Sequence, residues 1–152
     1  MALGNWFFFN QWLLNMADGG ENITTDTLKA ILCGSAQVLD KAFVGASTDA
    51  RYADITAEKP TASGYTVGGL TLTNKTVLRA ANIVTLKTDY WEWNFSVNTA
   101  GLKYCVIYDF TSANKDLVMA CDLDTDGGTV TAAQGPVRFT PHADGLGRWY
   151  QP

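Results

Sequence analysis

The segment Tyr90–Val97 alternates without interruption. Trp91, Trp93, Phe95 and Val97 take every second position, with Glu92, Asn94 and Ser96 between them. Successive side chains of an extended strand point to opposite faces, so this pattern describes a strand with one buried and one solvated face. The same period recurs along the chain. Thr27–Cys33 sets Leu28, Ala30 and Leu32 against Thr27 and Lys29, and Leu70–Leu78 sets Leu70 and Leu72 against Thr71, Thr73 and Lys75. Leu102–Phe110 places Leu102, Tyr104, Val106, Tyr108 and Phe110 inward, with Lys103 and Asp109 outward. Leu117–Leu123 aligns Leu117, Met119, Cys121 and Leu123, while Ile83–Lys87, Thr129–Ala132, Val137–Thr140 and Leu146–Tyr150 are shorter candidates. Clusters such as Asn98-Thr99-Ala100-Gly101 and Asp126-Gly127-Gly128 supply the turns between them. This predicts a mainly β chain, an antiparallel β-sandwich of short strands.

Two stretches depart from that period. In residues 5–17, Trp6, Phe9, Trp12, Leu13 and Met16 fall on one stripe at 100° per residue, which predicts an N-terminal apolar helix stopped by Asp18-Gly19-Gly20. Phe7, Phe8 and Leu14 lie off the stripe. The helix therefore either packs on its own domain with one side and on a neighbouring subunit with the other, or is buried all round by its own chain. Residues 34–69 are mostly small and polar, with one or two helical turns expected around Val38, Leu39, Ala42 and Phe43. So long a connection in a compact domain is often functional. It reads as a loop or arm reaching across a neighbour, the alternative being a loop laid over its own sheet. The 152 residues thus form a single domain, 1–152, with a helix at 5–17, an extended loop or arm at 34–69 and a β-sheet core at 70–150.

The formal net charge of −4 argues against a protein that grips a nucleic-acid backbone. Charged residues are only 17% and aromatic residues 12%, which suggests a surface partly covered by partners. Trp91, Trp93, Tyr104 and Tyr108 explain part of that excess on inward strand faces; Trp149 and Tyr150 remain as candidate interface anchors. Lys29 is the first basic residue, so the apolar N-terminal stretch lacks the positive region of an export signal, and it is too short to span a bilayer; no membrane association is expected. Cys33, Cys105 and Cys121 are odd in number and widely spaced, and read as buried thiols suited to a reducing cytoplasm.

Chemistry-bearing motifs are sparse. His142 is the single histidine, which excludes a multi-histidine metal site, and no nucleophile elbow, P-loop or dinucleotide fingerprint occurs. The expectation is a protein that is not an enzyme and carries no cofactor. Asp122-Leu-Asp124-Thr-Asp126-Gly127 has the spacing of a Ca²⁺ loop, yet the twelfth position is Ala133 and the ninth Val130, where an EF-hand supplies ligands. The motif reads first as a hairpin loop, with Asp122, Asp124 and Asp126 as a weak metal candidate. Trp91 and Trp93 could form a sugar platform, but their alternation with polar residues fits core packing better.

The run Gly64-Tyr65-Thr66-Val67-Gly68-Gly69-Leu70-Thr71-Leu72-Thr73-Asn74-Lys75-Thr76-Val77, preceded by Tyr52-Ala53-Asp54-Ile55, resembles a group of small virion proteins of tailed bacteriophages. Thr25–Leu32, Tyr104–Asp109 and Leu117–Asp126 are similar to further strands of that group. Taken alone, the run has glycines for backbone bends and Tyr65 as a plug between turns. The resemblance implies a virion structural protein: first a capsid decoration (cement) protein, a homo-oligomer bound to the major capsid protein on the outer shell. A tail or head–tail connector component is the alternative, and a host-attachment β-sandwich binding glycan or Ca²⁺ a further one. Expected partner contacts are Phe7, Phe8 and Trp12 on the helix, Arg51, Tyr52, Asp54 and Glu58 on the arm, and Trp149 and Tyr150.

Overall fold

A computed structural model describes residues 4–46, 49–80, 83–142 and 145–150. In chain order the elements are β1 (Phe7–Phe8), α1 (Asn10–Ala17), β2 (Leu28–Cys33), a single 3-10 turn (Tyr52–Asp54), β3 (Leu70–Thr71), β4 (Thr76–Ala80), β5 (Ile83–Lys87), β6 (Trp91–Phe95), β7 (Thr99–Leu102), β8 (Tyr104–Asp109), β9 (Leu117–Asp122), β10 (Val130–Ala132), β11 (Gly135–Phe139) and β12 (Gly147–Tyr150). The protein is mainly β, and its strand pairs are antiparallel. A five-stranded sheet runs β1-β9-β8-β2-β3; β11 pairs with β6, β10 with β7, and β12-β5-β4 form a three-stranded sheet. No helix among the described residues is long and apolar enough to cross a membrane.

The centre is β8. All six of its residues are buried, as are five of the six in β9. Strands buried on both faces show no solvated side, so both faces of the large sheet are covered here. The β6–β11 ribbon adds Trp91, Trp93 and Phe95 to the same core as Val106 and Val118, and Phe9 and Trp12 join it from the N-terminal segment. Each such side chain contributes roughly 1.5–3 kcal/mol through removal from water.

Several boundaries differ from the sequence expectation. The helix begins only at Asn10, because Phe7 and Phe8 pair instead with Ala120 and Met119 of β9. That pairing, continued by Phe9 N–H to Val118 O at 3.1 Å, satisfies an edge that would otherwise stand open. The expected stripe is nonetheless the buried one: Phe9 and Trp12 are fully buried and Trp6, Leu13 and Met16 pack against the core. Leu102–Phe110 is two strands, broken at Lys103, whose N–H bonds Cys33 O at 2.8 Å. Lys103 and Asp109, expected outside, are buried, while Phe110, expected inside, is 42% exposed under the ammonium groups of Lys29 and Lys115. Leu70–Leu78 also divides: β3 pairs with β2, the chain turns at Asn74 with φ 50°, and β4 enters a different sheet. β6 ends at Phe95, so Val97 emerges into solvent. Val38–Phe43 holds a single turn at Lys41-Ala42 and no helix, and residues 34–69 hold no regular element beyond the 3-10 turn and isolated bridges among the described residues.

Candidate functional site

The long loop is fastened to the sheet at Glu58. Glu58 forms a bridge with Cys33 at the end of β2, flanked by Gly34 N–H to Ala57 O (2.8 Å) and Lys59 N–H to Leu32 O (2.9 Å). Its carboxylate accepts three hydrogen bonds: from the Tyr52 hydroxyl at 2.6 Å, the Tyr65 hydroxyl at 2.7 Å and the Gly68 N–H at 2.8 Å. Tyr65 Oη in turn accepts the Leu32 N–H at 3.1 Å, and the Tyr108 hydroxyl donates to Gly68 O at 3.0 Å. The Tyr52 ring stacks on Tyr108 with centroids 4.5 Å apart. Burial, reinforced by the Glu58 charge, pushes the Tyr108 phenol up to about 12 and raises those of Tyr52 and Tyr65. The three phenols therefore stay neutral and act as donors. The turn that delivers them requires glycine: Gly69 has φ 69°, and a Cβ there would lie 1.9 Å from Ala30 O. Tyr65 and Gly68 of the run Gly64–Val77 thus belong to the clasp between loop and sheet, and Tyr65, 2% exposed, is the expected plug.

The expected contact residues have these places. Phe8 and Trp12 are buried by their own chain, and Phe7 is half-buried with its ring against Phe9. Tyr52 and Glu58 meet in the clasp. Arg51 pairs with Asp49, and Asp54 caps its own turn by accepting from Arg51 N–H and Ala46 N–H, both at 3.2 Å. Trp149 and Tyr150 lie in β12 opposite Val84 and Ile83, and their side chains lie outside the described part of the structure. Among polar neighbours such as Asp40 and Lys41, the large hydrophobic side chains that the loop and helix expose are Leu14, Val38, Val44 and Val67, of which Val38 is 77% exposed.

At the acidic motif, Lys103 Nζ lies 2.9 Å from Asp122 Oδ1 and also donates to Asp124 O. Asp122 Oδ1 accepts from Asp124 N–H and Asp124 Oδ1 from Asp126 N–H, with Gly127 at φ 89°. This is the hairpin-loop reading, with a resident ammonium on the first carboxylate. Trp91 stacks on Phe139 at 5.7 Å and Trp93 is 2% exposed, as core packing requires. An apolar cavity of about 460 Å³ lies beside them, lined by Trp6, Trp91, Leu123, Val137, Phe139 and Leu146 among others. The three cysteines are buried and form no disulfide; burial pushes the Cys33 thiol up to about 12 and that of Cys121 up to about 11. His142 is exposed, at a short turn closed by Gly145 N–H to His142 O.

A second acidic group carries no spacing motif. Glu21 and Asp26 in the α1–β2 connection and Asp109 at the end of β8 each offer an oxygen within 4.8 Å of the others, and Asp116 borders a cleft that Glu21 also lines. These positions are scattered over almost a hundred residues; the antiparallel pairing of β2 with β8, which sets Leu28 opposite Asp109, and the return of β8 into β9 bring them close.

No family model matches the chain, and neither a curated protein nor a solved structure does.

Proposed function

We propose that this chain is a non-enzymatic structural protein of a tailed-phage particle: a capsid decoration (cement) protein that sits as a homo-oligomer on the outer shell and binds the major capsid protein. The resemblance of Gly64–Val77 to small virion proteins supports the particle. The observation that carries the docking role is the fastened loop. Gln37 ties one limb to the other, donating to Asp54 O at 2.7 Å and accepting from Thr56 N–H at 2.9 Å. Gly45 N–H bonds Asp49 O, and Val67 N–H bonds Thr61 Oγ1. Held this way, the loop still exposes Val38, Val44 and Val67. A loop ordered before binding loses little entropy on docking, and exposed aliphatic side chains on it gain by being covered.

The test is co-sedimentation of the purified chain with phage particles lacking it. The wild type pellets with particles at saturable copy number, and Val38→Asp with Val44→Asp abolishes pelleting while the chain stays folded. Wild-type chain remaining in the supernatant contradicts the proposal.

A further inference from the structure

The apolar cavity beside β6 takes its walls from three separate sheets. Trp91 belongs to β6 and Phe139 to its partner β11, Leu102 and Ala132 belong to the β7–β10 ribbon, and Cys121 belongs to β9 of the large sheet. We propose that this cavity is a binding site for one uncharged aromatic molecule of one or two fused rings. The inference does not depend on the virion reading.

Size sets the cavity apart from a packing defect. Interiors hold few voids larger than a water molecule, whereas small-molecule sites run from about 300 to 1,000 Å³. The cavity measures about 460 Å³. An apolar cavity of about 150 Å³ already admits benzene, so two fused rings have room here. Trp91, Leu102, Cys121, Leu123, Ala132 and Leu146 form a buried floor. Trp6, Val130, Val137 and Phe139 are half-buried, and the cavity opens to solvent on their side.

The walls decide the class of ligand. Arg138 alternates with Val137 and Phe139 along β11, so its guanidinium lies on the opposite face of the strand. There its Nε meets Glu92 Oε2 at 3.0 Å and its fork lies over the Tyr90 ring at 4.1 Å. The Cys121 thiol donates to Gly4 O at 3.1 Å, which leaves its sulfur as a soft apolar surface. Thr140 is exposed and brings one hydroxyl to the rim. A charged ligand would therefore give up its hydration without gaining a counter-charge. Water fares little better, since it needs two to four polar partners to stay in a cavity. The aromatic preference comes from the rings already there. Trp6 meets Trp91 edge-on with centroids 6.0 Å apart, and Trp91 stacks on Phe139 at 5.7 Å. A further ring extends this array at the centroid spacing of about 4.5–7 Å that such pairs favour, a gain that a saturated ring lacks.

The test is a calorimetric titration of the full chain with indole, with thermal melts of the same samples. Indole-3-carboxylate serves as the charged counterpart and cyclohexanol as the saturated one. The expected result is one indole per chain and a raised Tm, with both counterparts at least tenfold weaker. Ala132→Leu and Val130→Phe fill the cavity and should each weaken indole binding at least tenfold in a folded chain. Val130 is half-buried, so Val130→Phe carries the test should Ala132→Leu fail to fold. Should neither fold, intermolecular NOEs in the wild type are expected between bound indole and the methyl groups of Leu123 and Ala132. Absence of both heat and Tm rise at millimolar indole overturns the proposal. Undiminished binding in both variants, or NOEs only to methyl groups outside the cavity, overturns it in favour of a ring held elsewhere. Equal or tighter binding of either counterpart overturns the assigned class of ligand.

Discussion

Tyr65 gives its hydroxyl proton to Glu58 Oε1 at 2.7 Å and accepts the Leu32 N–H on the same oxygen, so one phenol joins the loop to the central sheet. Tyr65→Phe leaves Leu32 N–H unpaired in the core and should cost about 1–3 kcal/mol. Glu58→Ala orphans three donors and should cost more. Because the two share a network, the double variant should be milder than the sum by about 0.5–3 kcal/mol. Urea unfolding of the four proteins measures this, and additive single effects would remove the clasp as a unit.

Gly69 and Gly127 both have positive φ, but only Gly69 is crowded: a Cβ there meets Ala30 O, whereas nothing lies within 4 Å at Gly127. Gly127→Ala should cost only the left-handed strain, about 1–2 kcal/mol. Gly69→Ala should cost clearly more in the same unfolding assay, and equal costs would contradict the close approach.

Stability should depend on pH through Glu21. Its carboxyl lies at about 8 in the fold against 4.5 ordinarily, first through burial and then through Asp109 and Asp116. Between these values the native chain holds a proton that the unfolded chain has released, so the contribution is complete below 4.5 and is lost as pH rises through about 8. Asp109, raised in the same direction by burial, adds to the trend. The denaturation midpoint should fall from pH 5 to pH 8.5, and Glu21→Gln should flatten the fall. A midpoint that climbs over this range contradicts the placement of Glu21.

Trp12 and Leu14 separate folding from docking. Trp12 is 1% exposed, so Trp12→Ala should cost about 3–5 kcal/mol and unfold much of the chain. Leu14 is 58% exposed, so Leu14→Asp should leave the melt within about 0.5 kcal/mol of wild type. A large loss from Leu14→Asp would place that side chain in the core.

Much of the architecture was legible in the alternation. Trp91, Trp93 and Phe95 are buried and Asn94 is exposed, as period two demands, because β6 has a single partner and one open face. The same rule failed at β8, where burial on both faces hides polar Asp109 as readily as Val106. It failed also at Phe7 and Phe8, since helical periodicity cannot reveal that β9 offers an unpaired edge. Tyr65 was readable as a plug from its flanking glycines. The acidic cluster Glu21, Asp26 and Asp109 was not readable, because its residues meet only after β2 and β8 pair, whereas the contiguous Asp122–Asp126 motif was conspicuous and is neutralised in part by Lys103.

The central claim, the proposed decoration role on a phage shell, is tested most directly by an image reconstruction of intact phage particles produced by a host that expresses the chain. The account predicts hundreds of copies on the outer capsid surface, with the loop bearing Val38, Val44 and Val67 against the major capsid protein. A particle that carries the chain only in a few copies at the tail or portal, or not at all, would contradict it.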